Sequence, residues 1–361
     1  MRIAQLAPLY ESVPPRLYGG TERVVSFLTE ELVRQGHEVT LFAAGDSRTA
    51  ARLVPMCEQA LRLDDRCRDP FAFHFLMMEA VVRRRHEFDI IHSHIDTLGF
   101  VIGRRTGLPL LATMHGRLDL WELPPVFREY AEMPLVSISD AQRRPLPEAN
   151  WLSTVYHGLP DDLYACTEKG GDYLVYVGRV SPEKKVDAAV RIAVQAGIPL
   201  KIAAKVDRDD RDYFEAEIRP LLAHPLIDFL GEVGELEKGE LLRGALAFLH
   251  PVDWPEPFGL AMIEAMACGT PVIARRRGSI PEVVDHGITG FVFEQDEEAV
   301  ACLRDEVPSF SRRRCREHFE QRFSARRMAA SYLAAYRAVL AGVDEDAPTA
   351  DGEERCLKLA G

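Results

Sequence analysis

The chain has 361 residues, of which 47% are hydrophobic and 28% are charged. This length predicts two domains of about 150 residues each, and the composition excludes a mainly disordered, collagenous or coiled-coil protein. The net charge of −12 argues against general nucleic-acid binding, and no apolar run approaches the roughly 18 residues of a membrane span. Seven scattered cysteines without a Cys-x-x-Cys pair indicate a reducing compartment, so we expect a cytoplasmic protein.

Apolar runs of strand length alternate with amphipathic helical stretches, a pattern typical of parallel sheets covered on both faces. In residues 1–160 strands are predicted at Ile3–Leu9, Glu38–Ala43, Asp89–His92, Leu110–Met114, Pro134–Ser139 and Thr154–His157, and helices at Thr21–Gln35 and Phe75–Arg85. In residues 172–323 strands are predicted at Tyr173–Gly178, Leu200–Ala203, Ile227–Leu230, Ala245–His250, Pro271–Ala274 and Gly290–Phe293. Helices of this second series are predicted at Val186–Gln195, Tyr213–Leu222, Glu235–Leu242 and Leu260–Cys268.

These two series predict an α/β protein with two Rossmann-like, doubly wound domains. The charged stretch Pro160–Gly171 is the predicted linker, Ser324–Leu340 is a predicted final helix, and residues 344–361 are a predicted flexible tail. Ligands bind at the carboxyl ends of parallel strands and between domains. We therefore expect an active site in the cleft between the two domains.

Glycine follows two of the predicted strands in the first series. Gly19 and Gly20 precede the first helix, where the backbone can approach a ligand and free N–H groups suit a phosphate or a hydroxyl. An ordinary tight turn would use the same residues. His115 and Gly116 follow a strand end, from which the imidazole can reach a cleft, although a structural histidine is equally compatible with this pattern.

Two cations follow the first strand of the second series. Arg179 and Lys184 lie just before the helix that begins near Val186. Cations at a helix N-terminus oppose the helix dipole unless an anion is bound there. A guanidinium, an ammonium and free N–H groups together suit a diphosphate, whereas solvated surface charge is the alternative interpretation.

The most specific segment is Glu256–Gly269. Glu264 is the only charged residue in an otherwise apolar helix, and a buried carboxylate needs partners. Glu256 lies in a proline-bracketed loop before the same helix. We expect one carboxylate in the cleft and the other just behind it. The loop Gly278–Glu282 is expected to face the same cleft.

The sequence predicts no metal centre. His92 and His94 form an i, i+2 pair without a visible third ligand, and Asp207-x-Asp209 lies in a charged loop rather than at a strand end. A diphosphate could be neutralised by Arg179 instead. We expect activity without a metal or another cofactor.

Taken in order, the motifs at Gly19-Gly20, His115-Gly116, Gly178-Arg179, Glu256–x7–Glu264 and Gly278–Glu282 resemble the retaining GT-B glycosyltransferases of the family 4 type, also called group 1. The resemblance covers about residues 1–340. It implies an acceptor domain at residues 1–160, completed by the final helix at about 324–341, and a nucleotide-sugar donor domain at residues 172–323. It also implies hexosyl transfer from a UDP- or GDP-sugar to a hydroxyl acceptor with retention of configuration.

The resemblance also implies roles for individual residues. Residues matching Arg179, Lys184 and Gly20 bind the donor diphosphate in that family. Those matching Glu256 and His115 contact the transferred sugar and are the expected catalytic residues. The match to Glu264 binds the ribose, and backbone N–H groups in the segment matching Phe258, Gly259 and Leu260 face the sugar and phosphate.

This chain departs from the family pattern in a few places. Ala203-Ala204-Lys205 stands where a Gly-x-Gly is common, so Lys205 is a further candidate nucleotide contact. Three arginines, Arg275–Arg277, precede the Gly278 loop. Arg83–Arg85 could be a membrane-facing patch or a solvated helix end, so at most peripheral membrane contact is expected. A GT-B epimerase, a phosphorylase and a non-catalytic nucleotide-sugar-binding homologue are the alternative functions.

Overall fold

The computed structural model describes residues 1–345, which contain two parallel β-sheets. The first sheet has seven strands in the order β3-β2-β1-β4-β5-β6-β7. These strands are β1 (Arg2–Leu6), β2 (Glu38–Ala43), β3 (Arg52–Pro55), β4 (Ile90–Ser93), β5 (Leu110–Thr113), β6 (Leu135–Ser137) and β7 (Trp151–Thr154). The order reverses next to β1, which pairs with β2 on one side and β4 on the other.

The second sheet has six strands in the order β10-β9-β8-β11-β12-β13. They are β8 (Leu174–Arg179), β9 (Leu200–Lys205), β10 (Ile227–Gly231), β11 (Ala247–His250), β12 (Val272–Arg275) and β13 (Gly290–Phe293). Here the order reverses between β8 and β11, which pair in parallel. Parallel sheets with a reversal of strand order open a crevice at the carboxyl edge.

Helices flank both sheets and bury nearly continuous apolar strands. They are α1 (Gly20–Arg34), α2 (Pro70–Arg83), α3 (Leu98–Thr106), α4 (Leu123–Glu129), α5 (Asp140–Arg143), α6 (Val186–Ala196), α7 (Arg211–Tyr213), α8 (Glu235–Gly244), α9 (Leu260–Ala267), α10 (Ile280–Val283), α11 (Asp296–Asp305), α12 (Arg312–Arg322) and α13 (Ala325–Glu345). The last helix follows the second sheet in sequence but packs on the first, against α1 and β5. Within residues 1–345, no helix combines the length and the apolar character needed to cross a membrane.

The architecture of alternating strands and helices around two parallel sheets is as predicted, with local differences. The strand expected at Thr154–His157 ends at Thr154, because the chain then turns towards α13 and Leu159 N bonds Phe323 O. The helix expected at Tyr213–Leu222 is one α-turn followed by π and 3₁₀ turns, since Pro220 has no N–H to continue an α-helix. The final helix continues to Glu345, and the rest of the predicted tail lies outside the described residues.

The arginine run at the end of α2 is paired with carboxylates. Arg83 Nε lies 3.1 Å from Glu79 Oε1, and Arg84 Nη2 lies 2.8 Å from Glu87 Oε2. These contacts favour a solvated helix end over a patch of free positive charge.

Candidate active site

The carboxyl ends of the two sheets border one cleft of about 700 Å³. The loop after β1, the start of α1 and the end of β5 line one side, and the ends of β8 and β9 with the start of α9 line the other. All ten residues predicted for the site line this cleft, namely Gly20, His115, Arg179, Lys184, Lys205, Glu256, Phe258, Gly259, Leu260 and Glu264. Segments that are distant in sequence therefore meet at the predicted place.

Glu256 is held at the entrance to α9 by several neighbours. Lys184 Nζ lies 2.5 Å from Glu256 Oε2, and Trp254 Nε1 donates a hydrogen bond to the same oxygen at 2.9 Å. Burial acts to raise the pKa of Glu256, but the Lys184 ammonium and His250 hold that pKa well below its usual range. Glu256 is therefore an anion, and its Oε1 has no hydrogen-bond partner among residues 1–345. That oxygen can accept a hydrogen bond from a ligand hydroxyl.

The cations after β8 are paired with the protein's own carboxylates. Arg179 Nη2 lies 2.7 Å from Glu183 Oε1, and Asp207 and Asp210 also lie within ion-pair distance of Arg179. The sequence alone indicated a bound anion as the reason for two cations at this position, but these carboxylates already offset part of the positive charge. An ammonium has three N–H donors, so Lys184 can keep its hydrogen bond to Glu256 and also donate to a phosphate oxygen.

Glu264 has the buried partner that its apolar helix requires. Lys238 Nζ, from α8, lies 2.6 Å from Glu264 Oε1, and both side chains are almost completely buried. Burial lowers the pKa of Lys238, while Glu264 acts in the opposite direction. Lys238 also lines the cleft. Lys238 was not predicted as a site residue, because nothing in the sequence of α8 shows which side chain contacts α9.

Lys205 lies at the end of β9 and faces the loop that covers the cleft. Its Nζ lies 2.7 Å from Asp207 Oδ1 and 5.2 Å from the centroid of the Tyr18 ring. The backbone N–H of Tyr18 in turn donates to Glu232 Oε1 at 3.0 Å. The loop between β1 and α1 is therefore fastened to the second sheet over the candidate nucleotide site.

The turn before α9 brings backbone groups to the cleft. Gly259 has a φ of 81°, and a Cβ at this position would lie 2.6 Å from Met262 Cε. Glycine alone adopts this conformation here without strain. Phe258 is buried beside the turn with its ring centroid 4.7 Å from that of His157. The N–H groups of Leu260 and Ala261 precede the first backbone hydrogen bond of α9, from Met262 N to Gly259 O, and can donate to a ligand.

His115 is one end of a buried hydrogen-bond chain that runs from the cleft to α13. His94 Nδ1 lies 2.8 Å from His115 Nε2, and His94 Nε2 lies 2.8 Å from Gln5 Oε1. Gln5 Nε2 donates to Tyr336 Oη at 3.1 Å, and Tyr336 Oη lies 2.7 Å from His92 Nδ1. A polar chain of this kind fixes the orientation of each ring in it.

The same hydrogen bonds also determine which nitrogen of His115 carries the proton. An amide oxygen only accepts, so His94 carries its proton on Nε2 and its Nδ1 accepts from His115 Nε2. Burial lowers the pKa of His115 to about 3, which keeps the imidazole neutral. His115 therefore presents an unprotonated Nδ1 that can accept a hydrogen bond from a substrate hydroxyl.

His92 and His94 act as structural residues rather than as a metal pair. Both nitrogens of each ring are already engaged, those of His92 by Tyr336 and Thr113. In the part of the chain that the structure describes, no group of three or more His, Cys, Asp or Glu side chains is arranged to hold a metal ion.

The loop Gly278–Glu282 supports the site from outside the cleft, contrary to the expectation that it lines the cleft. Glu282 accepts hydrogen bonds from the backbone N–H groups of Asp140 and Ala141 at 2.8 and 2.7 Å, which joins α10 to α5. A Cβ on Gly278 would lie 2.4 Å from the backbone of Glu256. The preceding arginines are paired, for example Arg275 with Asp296 at 2.5 Å.

Comparisons with known proteins agree with this arrangement. Residues 167–307 match the family model for glycosyl transferases group 1, and residues 18–184 match the model for glycosyltransferase family 4. The D-inositol 3-phosphate glycosyltransferase of Saccharomonospora viridis is 42% identical over 308 residues, which cover 70% of this chain and 71% of that protein. The chain belongs to the group 1 glycosyltransferases.

Further known proteins are similar over most of their length. The phosphatidyl-myo-inositol mannosyltransferase of Mycolicibacterium smegmatis is 26% identical, with 82% of each chain covered. Crystal structures of AviGT4, from avilamycin A biosynthesis, and of Anabaena HepE with UDP and glucose align with TM-scores of 0.72 and 0.73. AviGT4 is 22% identical with 95% and 98% coverage, and HepE is 20% identical with 94% and 100% coverage. These alignments confirm the predicted GT-B fold.

Proposed function

We propose that this glycosyltransferase moves a hexosyl group from a UDP- or GDP-sugar to a hydroxyl acceptor and retains the anomeric configuration. The observation that carries the proposal is the position of Glu256, an anion held by Lys184 at the start of α9, with one oxygen that has no hydrogen-bond partner within residues 1–345. The Anabaena HepE structure with UDP and glucose supports a nucleotide-sugar donor. The resemblance to retaining family 4 enzymes supports retention.

In the proposed mechanism the donor diphosphate binds between the two sheets. Arg179, Lys184 and the N–H of Gly20 donate to its oxygens and stabilise the charge that develops as it leaves. A side chain on Gly20 would have open space around it, so the backbone there is accessible to a ligand. The leaving phosphate accepts the proton of the attacking hydroxyl on the same face of the sugar.

The two glutamates divide sugar and ribose recognition between them. Glu256 Oε1 accepts from a sugar hydroxyl, and His115 Nδ1 accepts from another. Glu264 accepts from the ribose diol, and Lys238 holds its Oε1 in place. The N–H groups at Phe258, Gly259 and Leu260 donate to the sugar and phosphate.

Arg179 and Lys184 supply positive charge at the diphosphate, and this supports our proposal that no divalent metal or other cofactor is required. The acceptor is a sugar, a lipid or a small metabolite bearing a hydroxyl group. The scattered cysteines of the sequence support a cytoplasmic location.

The experiment that tests this function is a thermal-shift and donor-consumption screen with UDP-glucose, GDP-mannose and ADP-glucose, each with and without EDTA. A donor at 100 times its Kd stabilises the fold by about 2.7 kcal/mol. We expect UDP- or GDP-sugars to stabilise the protein and to be consumed in the presence of EDTA. Absence of stabilisation and consumption with every donor would overturn the proposed function, and activity only with added Mn²⁺ would overturn metal independence.

A further inference from the structure

Besides Glu256 and Glu264, four glutamates that the proposed mechanism does not use line the cleft, namely Glu11, Glu22, Glu232 and Glu235. Glu11, Glu232 and Glu235 lie within ion-pair distance of an arginine, and Glu22 differs from them. Glu22 lies in the first turn of α1, lines the cleft, and is 6% exposed. Within residues 1–345 its side chain forms no ion pair and no hydrogen bond with another side chain. Glu256 and Glu264, by contrast, each have a lysine partner. An unpaired buried carboxylate is costly to the fold unless something else uses it.

The surroundings of Glu22 favour a ligand that donates hydrogen bonds. Burial raises the pKa of Glu22 to about 7, and the charge of Glu11 acts in the same direction. The backbone N–H groups of Glu22 and Glu11 act the other way, as does Arg62. A hydroxyl that donates a hydrogen bond to Glu22 would stabilise its charged form, since hydrogen bonds to charged groups are stronger than those between neutral groups.

The cations on the first-sheet side of the cleft already have carboxylate partners. Among the described residues, only Arg23 and Arg62 line that side with a positive charge. Arg23 pairs with Glu235, and Arg62 pairs with Glu11 and lies 3.8 Å from Glu232. No free cation therefore faces a ligand beside Glu22 in residues 1–345. A phosphate on the acceptor would meet negative charge without compensation.

We propose that Glu22 binds a hydroxyl group of the acceptor, and that the part of the acceptor entering the cleft is a neutral polyol or sugar rather than a phosphate ester. The proposal rests on the glycosyl transfer proposed above and adds the acceptor class and the residue that selects it. It also gives this chain a different class of acceptor from the phosphate ester in the name of its relative from Saccharomonospora viridis, D-inositol 3-phosphate glycosyltransferase.

The test compares neutral acceptors with their phosphates. The donor that passes the screen above is incubated with glucose, mannose and myo-inositol, and in parallel with glucose 6-phosphate, mannose 6-phosphate and inositol 1-phosphate. Release of nucleoside diphosphate above the rate of donor hydrolysis gives kcat/KM for each acceptor. We expect at least one neutral compound to be glycosylated and to exceed its phosphate in kcat/KM.

Variants of Glu22 then test whether this residue is responsible for the preference for a neutral acceptor. Loss of one hydrogen bond to a charged group corresponds to roughly a 10- to 100-fold change. We expect Glu22→Gln to raise the KM of the neutral acceptor about tenfold and Glu22→Ala to raise it further. The Kd of the nucleoside diphosphate and the rate of donor hydrolysis should stay within about twofold. Glu38→Gln is the matched control, because Glu38 is exposed, lies at the start of β2, directly after α1 in the chain, and has no ion pair in the described residues.

Each outcome bears on one of the two proposals. An unchanged acceptor KM in Glu22→Gln, a phosphate that exceeds its neutral counterpart, or no glycosylation of any neutral acceptor would overturn the assignment of Glu22. If the wild-type protein neither binds nor consumes any donor, the proposed function itself fails. Glu22→Gln is expected to fold, since it removes a buried unpaired charge, and circular dichroism checks this.

Discussion

At the scale of single residues, the site depends on how a few buried charges are paired. Lys184 and Glu256 form one such pair, and Lys238 and Glu264 form another. Removing one member of a buried pair leaves the other uncompensated, which is more damaging than the net strength of the pair suggests. Three of these side chains, Lys184, Glu256 and Glu264, are proposed to bind the donor, so stability and binding are linked in this site.

Lys184→Ala should weaken the binding of UDP or GDP by at least tenfold, because the ammonium is proposed to donate to the diphosphate. It should also lower the melting temperature by several degrees, because Glu256 loses its closest cation. Lys185→Asn is the matched control, since asparagine tolerates the positive φ of 54° at that position. Calorimetry measures the affinity, and an unchanged Kd in Lys184→Ala would show that the diphosphate binds elsewhere.

Glu256→Gln and Glu264→Gln should have different effects. The first variant loses a charge-assisted hydrogen bond of about 1.5–3 kcal/mol to the sugar, so turnover should fall at least tenfold while the Kd of free nucleoside diphosphate changes little. The second should weaken nucleotide binding itself and lower stability, because Lys238 loses its closest carboxylate and keeps Glu235 at 3.3 Å. Donor-consumption kinetics and calorimetry on the two variants separate these effects, and identical profiles would contradict the division of roles.

At the scale of secondary-structure elements, α13 is coupled to the cleft through side chains rather than through backbone. Tyr336 is fully buried and bonds both Gln5 Nε2 and His92 Nδ1. Gln5 in turn sets the tautomer of His94 and so that of His115. The last helix therefore contributes to the orientation of a residue proposed to contact the sugar.

Tyr336→Phe should lower the free energy of unfolding by about 1–3 kcal/mol, since it leaves two buried polar groups without a partner. Tyr332→Phe is the control on the same helix, because Tyr332 has one hydrogen bond at 3.2 Å, from Thr113, which also bonds His92. Urea unfolding followed by circular dichroism gives both values. Equal effects of the two substitutions would show that the chain through Gln5 has no special stabilising role.

Sequence patterns predicted the long elements well and the short ones poorly. Strands such as β2 and β13 have the predicted bounds, because buried parallel strands are continuous apolar runs between turns. β3 was missed because it is short and only partly buried. Residues 213–222 were predicted as one helix because their apolar residues have helical spacing, but Pro220 prevents a continuous α-helix there.

The same contrast holds for the site. Residues next to distinctive turns, such as Gly259 and Glu256, could be placed in the cleft from sequence, because a glycine turn after a strand end fixes their location. Lys238 and Gln5 could not, since their contacts depend on how α8 and β1 face segments far away in the chain. Glu22 lies two residues after the predicted Gly19-Gly20 motif, but only the folded structure shows that its carboxylate is buried and has no ion pair within residues 1–345.

At the scale of the whole molecule, buried neutral histidines should make the fold sensitive to mild acid. Burial lowers the pKa of His92, His94 and His157 well below 6.5, whereas in the unfolded chain these rings titrate near 6.5. Below about pH 6.5 the unfolded state therefore binds more protons, and the free energy of unfolding falls as pH falls.

The expected slope is up to about 1.4 kcal/mol per pH unit for each of these rings. Urea unfolding at pH 7.0, 6.0 and 5.5 measures it. In His157→Gln the slope should be smaller, and the substitution breaks no hydrogen bond of Nδ1, which has no partner among the described residues. A free energy of unfolding that stays constant over this range would contradict the burial of neutral rings.

The proposed chemistry of the molecule as a whole is transfer with retention, in which the leaving phosphate acts on the same face of the sugar as the acceptor. Proton NMR of the anomeric signals during the reaction distinguishes retention from inversion, with UDP-glucose or GDP-mannose as an α-linked donor. We expect the first product to appear, whether a glycoside or the free sugar released by hydrolysis, to be the α-anomer. Initial appearance of the β-anomer, before mutarotation, would contradict the retaining mechanism and the role given to the leaving phosphate.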